Sequence, residues 1–161
     1  MKVRDYHSEV ELGVPPEELF SFFADAANLD ALTPPWLNFR ILTPQPTAMR
    51  EGALIDYRLR VHGIPLRWRT RIVVWQSPHR FVDEQIRGPY RLWRHEHTFT
   101  ECDGGTLVRD HVRYAVPFDA LLHRRLVRPD IEKIFQFRAE ALRTRFATRQ
   151  TDPAIRIEGS R

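Results

Sequence analysis

Residues 92–116 have the sequence LWRHEHTFTECDGGTLVRDHVRYAV, which predicts two antiparallel strands joined by a glycine turn. Every second side chain of a strand points to the same face. One face of this hairpin carries titratable groups among apolar and aromatic side chains: Trp93, His95, His97 and Phe99, then Val108, Asp110, Val112, Tyr114 and Val116. The predicted inner face is therefore unusually polar.

The register of the hairpin decides which of these side chains meet. A shift by one residue would move a whole set to the other face. If the glycine turn pairs Phe99 with Thr106, the facing inner pairs are His97 with Val108, His95 with Asp110, and Trp93 with Val112.

Alternation with period two covers residues 52–116 and predicts an antiparallel meander with further turns at His62-Gly63, Ser77-Pro78 and Gly88-Pro89. In the first two strands one face is apolar and aromatic, including Tyr57 and Trp68. The opposite face is rich in arginine: Arg58, Arg60, Arg67, Arg69 and Arg71. For the strand of residues 81–86, alternation alone does not identify the inner face.

Helices are predicted on either side of the meander. A strand over residues 6–12 precedes a helix that begins at Pro15-Pro16. Residues 28–32 add another turn, and Trp36 follows two prolines, where it lines a pocket mouth or caps the core.

The last helix is predicted over residues 129–146, and its apolar side contains Ile131, Phe135 and Leu142. Arg138 falls at the centre of that side, and Arg145 lies within it. A buried, unpaired guanidinium costs several kcal/mol, so Arg138 needs an anionic partner, an aqueous cavity or a ligand.

Length and composition predict one domain, residues 1–147, followed by a polar tail, residues 148–161. The net charge of +4 is spread along the chain without a basic tail, so we expect no nucleic-acid partner. Cys102 is the only cysteine, which excludes thiolate metal clusters. No apolar run reaches a membrane span and the charged N-terminus does not resemble a signal peptide, so we expect a cytoplasmic protein without integral membrane contact.

Tyr57, Trp68, Trp93, His95, His97, Asp110 and Arg138 are predicted to share one space between the sheet and the last helix. Mostly apolar concavities with a few convergent polar groups are typical of small-molecule pockets. The alternative is a buried structural network of Asp110, His95 and Arg138, and the two interpretations are compatible.

The histidines and the carboxylate of this cluster are residue types that bind metals and transfer protons. A metal bound by His95 and His97 with Asp110 as third ligand lacks a defined motif, so no metal is predicted. General acid–base chemistry by a histidine and Asp110 stays open. The sequence has neither a nucleophile elbow nor a phosphate-binding glycine loop, and no cofactor is expected.

The order of elements, with the motif PPEELF at residues 15–20, resembles the START-like superfamily, which includes polyketide cyclases and Bet v 1-type proteins. The segments Gly88-Pro89-Tyr90 and Gly104-Gly105-Thr106, with the alternating residues of the hairpin, are similar to its bacterial cyclase/dehydrase-like branch. The resemblance covers about residues 4–146. It implies an α+β helix-grip fold, in which a curved antiparallel sheet surrounds the long C-terminal helix and encloses a cavity. It also implies that Phe81, Asp83 and Gln85 face that cavity.

The sequence therefore predicts a protein that binds a hydrophobic or amphipathic small molecule, such as a lipid, a quinone or a polyketide-like compound. Tyr57, Trp68 and Trp93 would form apolar walls, while Asp83, Gln85, His95, His97, Asp110 and Arg138 would lie at its polar end. One alternative is an enzyme of the cyclase, aromatase or dehydratase type. A third hypothesis is nucleic-acid or protein binding by the arginine-rich face. The sequence leaves the ligand's identity and the oligomeric state open.

Overall fold

The computed structural model describes residues 1–117 and 123–147, and the predicted tail lies outside them. The strands and α-helices are β1 (Arg4–Leu12), α1 (Pro16–Phe23), β2 (Arg40–Ile41), β3 (Leu54–Val61), β4 (Ile64–Gln76), β5 (Arg80–Arg87), β6 (Leu92–Cys102), β7 (Gly105–Ala115) and α2 (Arg128–Ala147). Two 3-10 segments, Ala26–Leu32 and Pro35–Leu37, connect α1 to β2, and a π-helical turn, His123–Val127, precedes α2. None of the helices in the described ranges is long and apolar enough to cross a membrane.

The strands form one antiparallel sheet in the order β1-β7-β6-β5-β4-β3-β2. The sheet curves around α2, which confirms the predicted α+β helix-grip fold. On the outer face Arg58 lies opposite Arg67, so the arginine-rich face also forms as predicted.

Two apolar clusters attach the helices to the inner face of the sheet. Ile131 and Phe135 of α2 pack with Val112 and Tyr114 of β7. Further along α2, Leu142 is fully buried in a second cluster, which also holds the aromatic side chains of α1. The space between these two clusters is where Arg138 enters the interior.

The predicted register of the β6–β7 hairpin is wrong by two residues. Cys102 pairs with Gly105, so the turn is only Asp103-Gly104, and Gly104 adopts a φ of +79° that favours glycine. The observed inner pairs are Trp93 with Tyr114, His95 with Val112, His97 with Asp110, and Phe99 with Val108. Because a shift of two residues preserves the faces, the predicted inner set survives the error.

Arg145 is a second correction. The helical pattern placed it within the buried side of α2, but its side chain is exposed and its guanidinium carbon lies 4.5 Å from the centre of the Phe22 ring. A long cationic side chain near a helix end can cover an aromatic ring while its charge stays in water.

We expect Gly105→Ala to destabilise the fold by about 1–3 kcal/mol, because added volume at a closely packed position forces a backbone shift. A Cβ at this residue would lie 2.0 Å from the carbonyl oxygen of Leu12 on the neighbouring strand. Urea unfolding measures the change. Thr100→Ala, at an exposed position of β6, is the matched control and should stay within about 0.5 kcal/mol of the parent. Equal stabilities of the two variants would contradict the close approach of β1 and β7.

Candidate functional site

A buried ion pair between α2 and the sheet forms the centre of the site. Arg138 Nε lies 3.3 Å from Asp110 Oδ2, and its Nη2 lies 3.3 Å from Asp110 Oδ1. The two side chains are only 8% and 5% exposed. The pair satisfies the cation on the apolar side of the helix, as the sequence analysis required.

Two histidines and a second carboxylate extend this pair into a network. His95 Nε2 lies 2.8 Å from Asp110 Oδ1, where its N–H donates to the carboxylate. His97 Nε2 lies 2.9 Å from Asp83 Oδ2, while its Nδ1 lies 3.1 Å from Arg138 Nη2. Since a guanidinium only donates, we assign the proton of a neutral His97 to Nε2, which donates to Asp83. The alternative of a buried structural network is thus realised.

The geometry of neighbouring strands brings these four side chains together. Asp83 of β5 lies directly opposite His95 of β6, yet it bonds to His97. In the same way Asp110 of β7 lies opposite His97 and bonds to His95. Both hydrogen bonds are therefore diagonal, which side chains of this length can reach. The predicted His95–Asp110 contact is formed even though the predicted register is wrong.

Burial disfavours the charged form of each group in this network, so it raises the pKa of a carboxyl group and lowers the pKa of an imidazole. It raises the pKa of Asp110, but the charge of Arg138 and the hydrogen bond from His95 lower that pKa well below its ordinary value. Burial likewise raises the pKa of Asp83, which the hydrogen bond from His97 and the nearby charges hold below its ordinary value. For His95, burial and the neighbouring His97 lower the pKa to about 4. At neutral pH both carboxylates are ionised and His95 is neutral.

A cavity of about 440 Å³ opens beside the network. Aromatic rings form one wall. Trp68 stacks on Tyr57 with their ring centres 5.8 Å apart, and it packs edge-on against Trp93 with their ring centres 5.4 Å apart. Ile134 and Phe135 of α2 line the opposite side. The cavity is thus apolar along its length and polar at the network.

Seven of the nine predicted site residues line this cavity, namely Tyr57, Trp68, Asp83, Trp93, His95, His97 and Arg138. Asp110 is absent from its described lining and lies behind Arg138 and His95, where it holds both.

Gln85 lies opposite Thr70, a residue of the cavity lining, so its position in β5 is on the inner face of the sheet. Gln85 is also absent from the described lining, and its amide Nε2 donates to the carbonyl of Tyr90 at 2.7 Å. Near the end of β5, this amide fixes the following loop, and Gly88 leaves space for it, since a Cβ there would lie 2.2 Å from Gln85 Oε1.

Other lining residues were missed by the sequence analysis. The centre of the Phe23 ring lies 5.0 Å from the guanidinium carbon of Arg138, and the ring centres of Tyr90 and Trp93 are 4.6 Å apart. The Gly88-Pro89 pair predicted a loop next to Tyr90, but nothing in the sequence indicated that this loop folds toward the cavity. Trp36 neither lines the pocket mouth nor caps the core. Its side chain is 56% exposed and contacts the ring of Phe137, whereas its neighbour Leu37 lines the cavity.

Residues 12–143 match the family model described as polyketide cyclase / dehydrase and lipid transport. The chain belongs to this family. No curated protein matches the sequence. These findings confirm the resemblance to the START-like superfamily.

Solved structures share the fold at low sequence identity. An aromatase/cyclase from a Streptomyces species is 14% identical, with a TM-score of 0.70 over 92% of this chain and 96% of that one. A major latex-like protein from Panax ginseng is 7% identical, with a TM-score of 0.67 over 89% and 97%. A point mutant of norcoclaurine synthase from Thalictrum flavum, in complex with a transition-state analogue, is 10% identical, with a TM-score of 0.64 over 89% and 96%. At these identities the likeness establishes the fold alone.

We expect Arg138→Ala to destabilise the protein by about 3–5 kcal/mol, because it leaves the Asp110 carboxylate buried and without its cation. The double variant Arg138→Met/Asp110→Asn should recover a large part of this loss, since no unpaired charge stays buried. Urea unfolding of both variants checks the prediction. Arg143→Ala, which removes an exposed pair with Glu140 on the same helix, is the control and should change stability by less than about 1 kcal/mol. A double variant as unstable as Arg138→Ala would contradict the ion-pair argument.

Proposed function

We propose that this protein binds a hydrophobic or amphipathic small molecule in its internal cavity. The observation that carries the proposal is the cavity of about 440 Å³, which has apolar and aromatic walls and a few polar groups at one end. Pockets of this size and composition are typical of small-molecule sites. The family description, which includes both cyclases and lipid transport, supports the same class of ligand.

The polar end favours a ligand with a hydroxyl group. Neutral His95 offers Nδ1 as an acceptor, since its Nε2 is bonded to Asp110, and Asp83 offers carboxylate oxygens. Both groups accept hydrogen bonds, so a phenol or alcohol fits them better than a lone carbonyl. Arg138 is occupied by Asp110 and His97 and orients this end rather than reaching for the ligand.

The aromatic wall would hold the apolar part of the ligand. Tyr57, Trp68 and Trp93 present ring faces and edges to the cavity, which suits flat or polyunsaturated carbon skeletons. Lipids, quinones and polyketide-like compounds that carry a hydroxyl group all satisfy this description.

Filling the cavity from α2 tests the proposal. Ile134→Trp places a large side chain at a lining position, and we expect it to weaken binding of the fluorescent probe 1-anilinonaphthalene-8-sulfonate at least about tenfold, because the ring takes the ligand's volume. Gln136→Trp adds the same side chain at an exposed position of the same helix and should leave the affinity unchanged. Fluorescence titration measures both, and circular dichroism verifies that both fold. Equal weakening, or none in Ile134→Trp, would place the probe elsewhere.

Native mass spectrometry of the purified protein, followed by extraction, would identify a natural ligand. We expect a co-purified apolar compound that bears a hydroxyl group. Ile134→Trp purified in parallel should lack it, while Gln136→Trp should retain it. A compound that all three proteins retain equally would contradict a cavity site.

The second candidate is an enzyme of the cyclase or dehydratase type. The specific observation in its favour is the hydrogen bond of 2.9 Å between His97 and Asp83 inside the cavity, because a histidine beside a carboxylate can move a proton to or from a bound substrate.

Incubating the extracted compound or its polyketone precursor with the protein distinguishes carrier from enzyme. An enzyme would yield a new product by mass spectrometry, and Asp83→Asn would lower the rate by about 10²–10⁴-fold. Recovery of the unchanged compound from the parent protein would favour the carrier.

A further inference from the structure

The structure contains a second arrangement in the same network, on the cavity side of the two imidazoles. Asp83, His95 and His97 each offer one atom, and these three atoms lie within 4.8 Å of one another. His97 Nε2 is 2.9 Å and His95 Nδ1 is 3.8 Å from Asp83 Oδ2. All three residues line the cavity. We propose that they form a binding site for one divalent first-row transition-metal ion.

The spacing of the three atoms fits such an ion. Bonds of about 2.1 Å to nitrogen and oxygen place neighbouring ligand atoms roughly 3.0 Å apart in an octahedron and roughly 3.4 Å apart in a tetrahedron. The two measured distances to Asp83 Oδ2 lie on either side of these values. Small side-chain rotations therefore suffice to bring all three atoms to one centre.

Asp110 supplies the support that metal-bound histidines require. Such a histidine donates its other ring N–H to a carboxylate or carbonyl, which fixes its orientation and its tautomer. His95 Nε2 and His97 Nδ1 lie 2.8 Å and 3.1 Å from the same atom, Asp110 Oδ1. The buried Asp110 carboxylate thus contacts both imidazoles on the side away from the cavity, and Arg138 forms an ion pair with it. From the sequence no metal was predicted, and the arrangement considered had Asp110 as third ligand; in the structure Asp83, not Asp110, lies on the cavity side with the two imidazoles.

The charges of the network leave room for a cation. In the described ranges, Arg138 is the only permanently cationic side chain bonded to the cluster, and it pairs with Asp110. Asp83 is 16% exposed and bonds only to His97 among the described groups. With neutral imidazoles the cluster keeps one net negative charge, and a buried carboxylate without a cation is unfavourable.

Binding needs a tautomer change at His97, in which Nδ1 gives up the hydrogen bond that it accepts from Arg138 Nη2 and donates one to Asp110 instead. Its proton leaves Nε2, which then donates its lone pair to the ion, and Nδ1 carries a proton that donates to Asp110 Oδ1. His95 already has its proton on Nε2 and its lone pair on Nδ1. Two neutral imidazoles and one carboxylate suit Zn²⁺, Fe²⁺ or Co²⁺. Because the ligand atoms face the cavity, the open positions would accept water or an oxygen of a bound molecule.

The surface of the sheet offers a matched comparison. Asp5, His7 and His111 also lie within 4.8 Å of one another, and His111 Nε2 is 2.8 Å from Asp5 Oδ1. These side chains lie on the outer face, where Asp5 and His7 are exposed. Any metal bound by accessible histidines alone should bind there as well.

The test is a titration of the tag-free, chelator-treated full chain with Co²⁺, followed by visible absorption and calorimetry. We expect one equivalent to bind. Asp83→Asn and His95→Asn should each weaken binding about 100-fold or more, since each removes a ligand, whereas His111→Asn should not change it. No binding at millimolar Co²⁺ or Zn²⁺ overturns the proposal, as does loss in His111→Asn with retention in Asp83→Asn.

A measurement on the unaltered protein covers the case in which the inner variants do not fold. Bound Co²⁺ is paramagnetic and should shift the imidazole NMR signals of His95 and His97, its direct ligands, far more than those of His7 and His111. Shifts confined to the outer pair would overturn the proposal. Because the titration uses only the metal ion, its result is independent of whether the cavity holds an organic ligand.

Discussion

The ion pair between Arg138 and Asp110 is the interaction on which the arrangement of helix and sheet depends. A guanidinium in the middle of an apolar helix face is unfavourable at every position over the sheet except one that presents a carboxylate. Asp110 provides that position at the centre of β7. The pair therefore fixes both the rotation of α2 and its position along the sheet. Replacing a buried pair with well-packed apolar residues is often neutral for stability, whereas removing one partner is strongly destabilising.

Asp110 also organises the two histidines, and this separates the two carboxylates of the network by role. One carboxylate oxygen of Asp110 lies within 3.1 Å of a ring nitrogen of each imidazole, and its charge is compensated by Arg138. Asp83 faces the cavity, and among the residues that the structure describes its hydrogen-bond partner is a histidine and not a guanidinium. The network thus has one side that is paired with Arg138 and another side that faces the cavity. In an apolar cavity the groups on the cavity-facing side interact strongly with anything that enters, because little water screens them.

The fold and most of the site followed from local rules. Alternation identified the inner face of the β6–β7 hairpin, including His95, His97 and Asp110, and helical periodicity put Arg138 on the buried side of α2. These predictions withstood a register error of two residues because the faces of a strand repeat with that period. The same rules could not decide which way Asp83 points, because each face of the strand at residues 81–86 carries both apolar and polar side chains. The family resemblance supplied its orientation, and Gln85, two residues further along β5, uses its amide to hold the loop at Tyr90.

The sequence by itself determined the order of elements, the polar character of the inner face and the need of Arg138 for a partner, because each is a property of neighbours along one strand or one helix. Only the tertiary structure decided which carboxylate meets which histidine. Asp83 and Asp110 lie on opposite sides of β6, and the choice between a direct and a diagonal contact depends on the register, the twist and the helix above. The tertiary structure also brought Phe23 and Tyr90 to the cavity, because distant loops and helices fold over a sheet according to the space that the sheet leaves free.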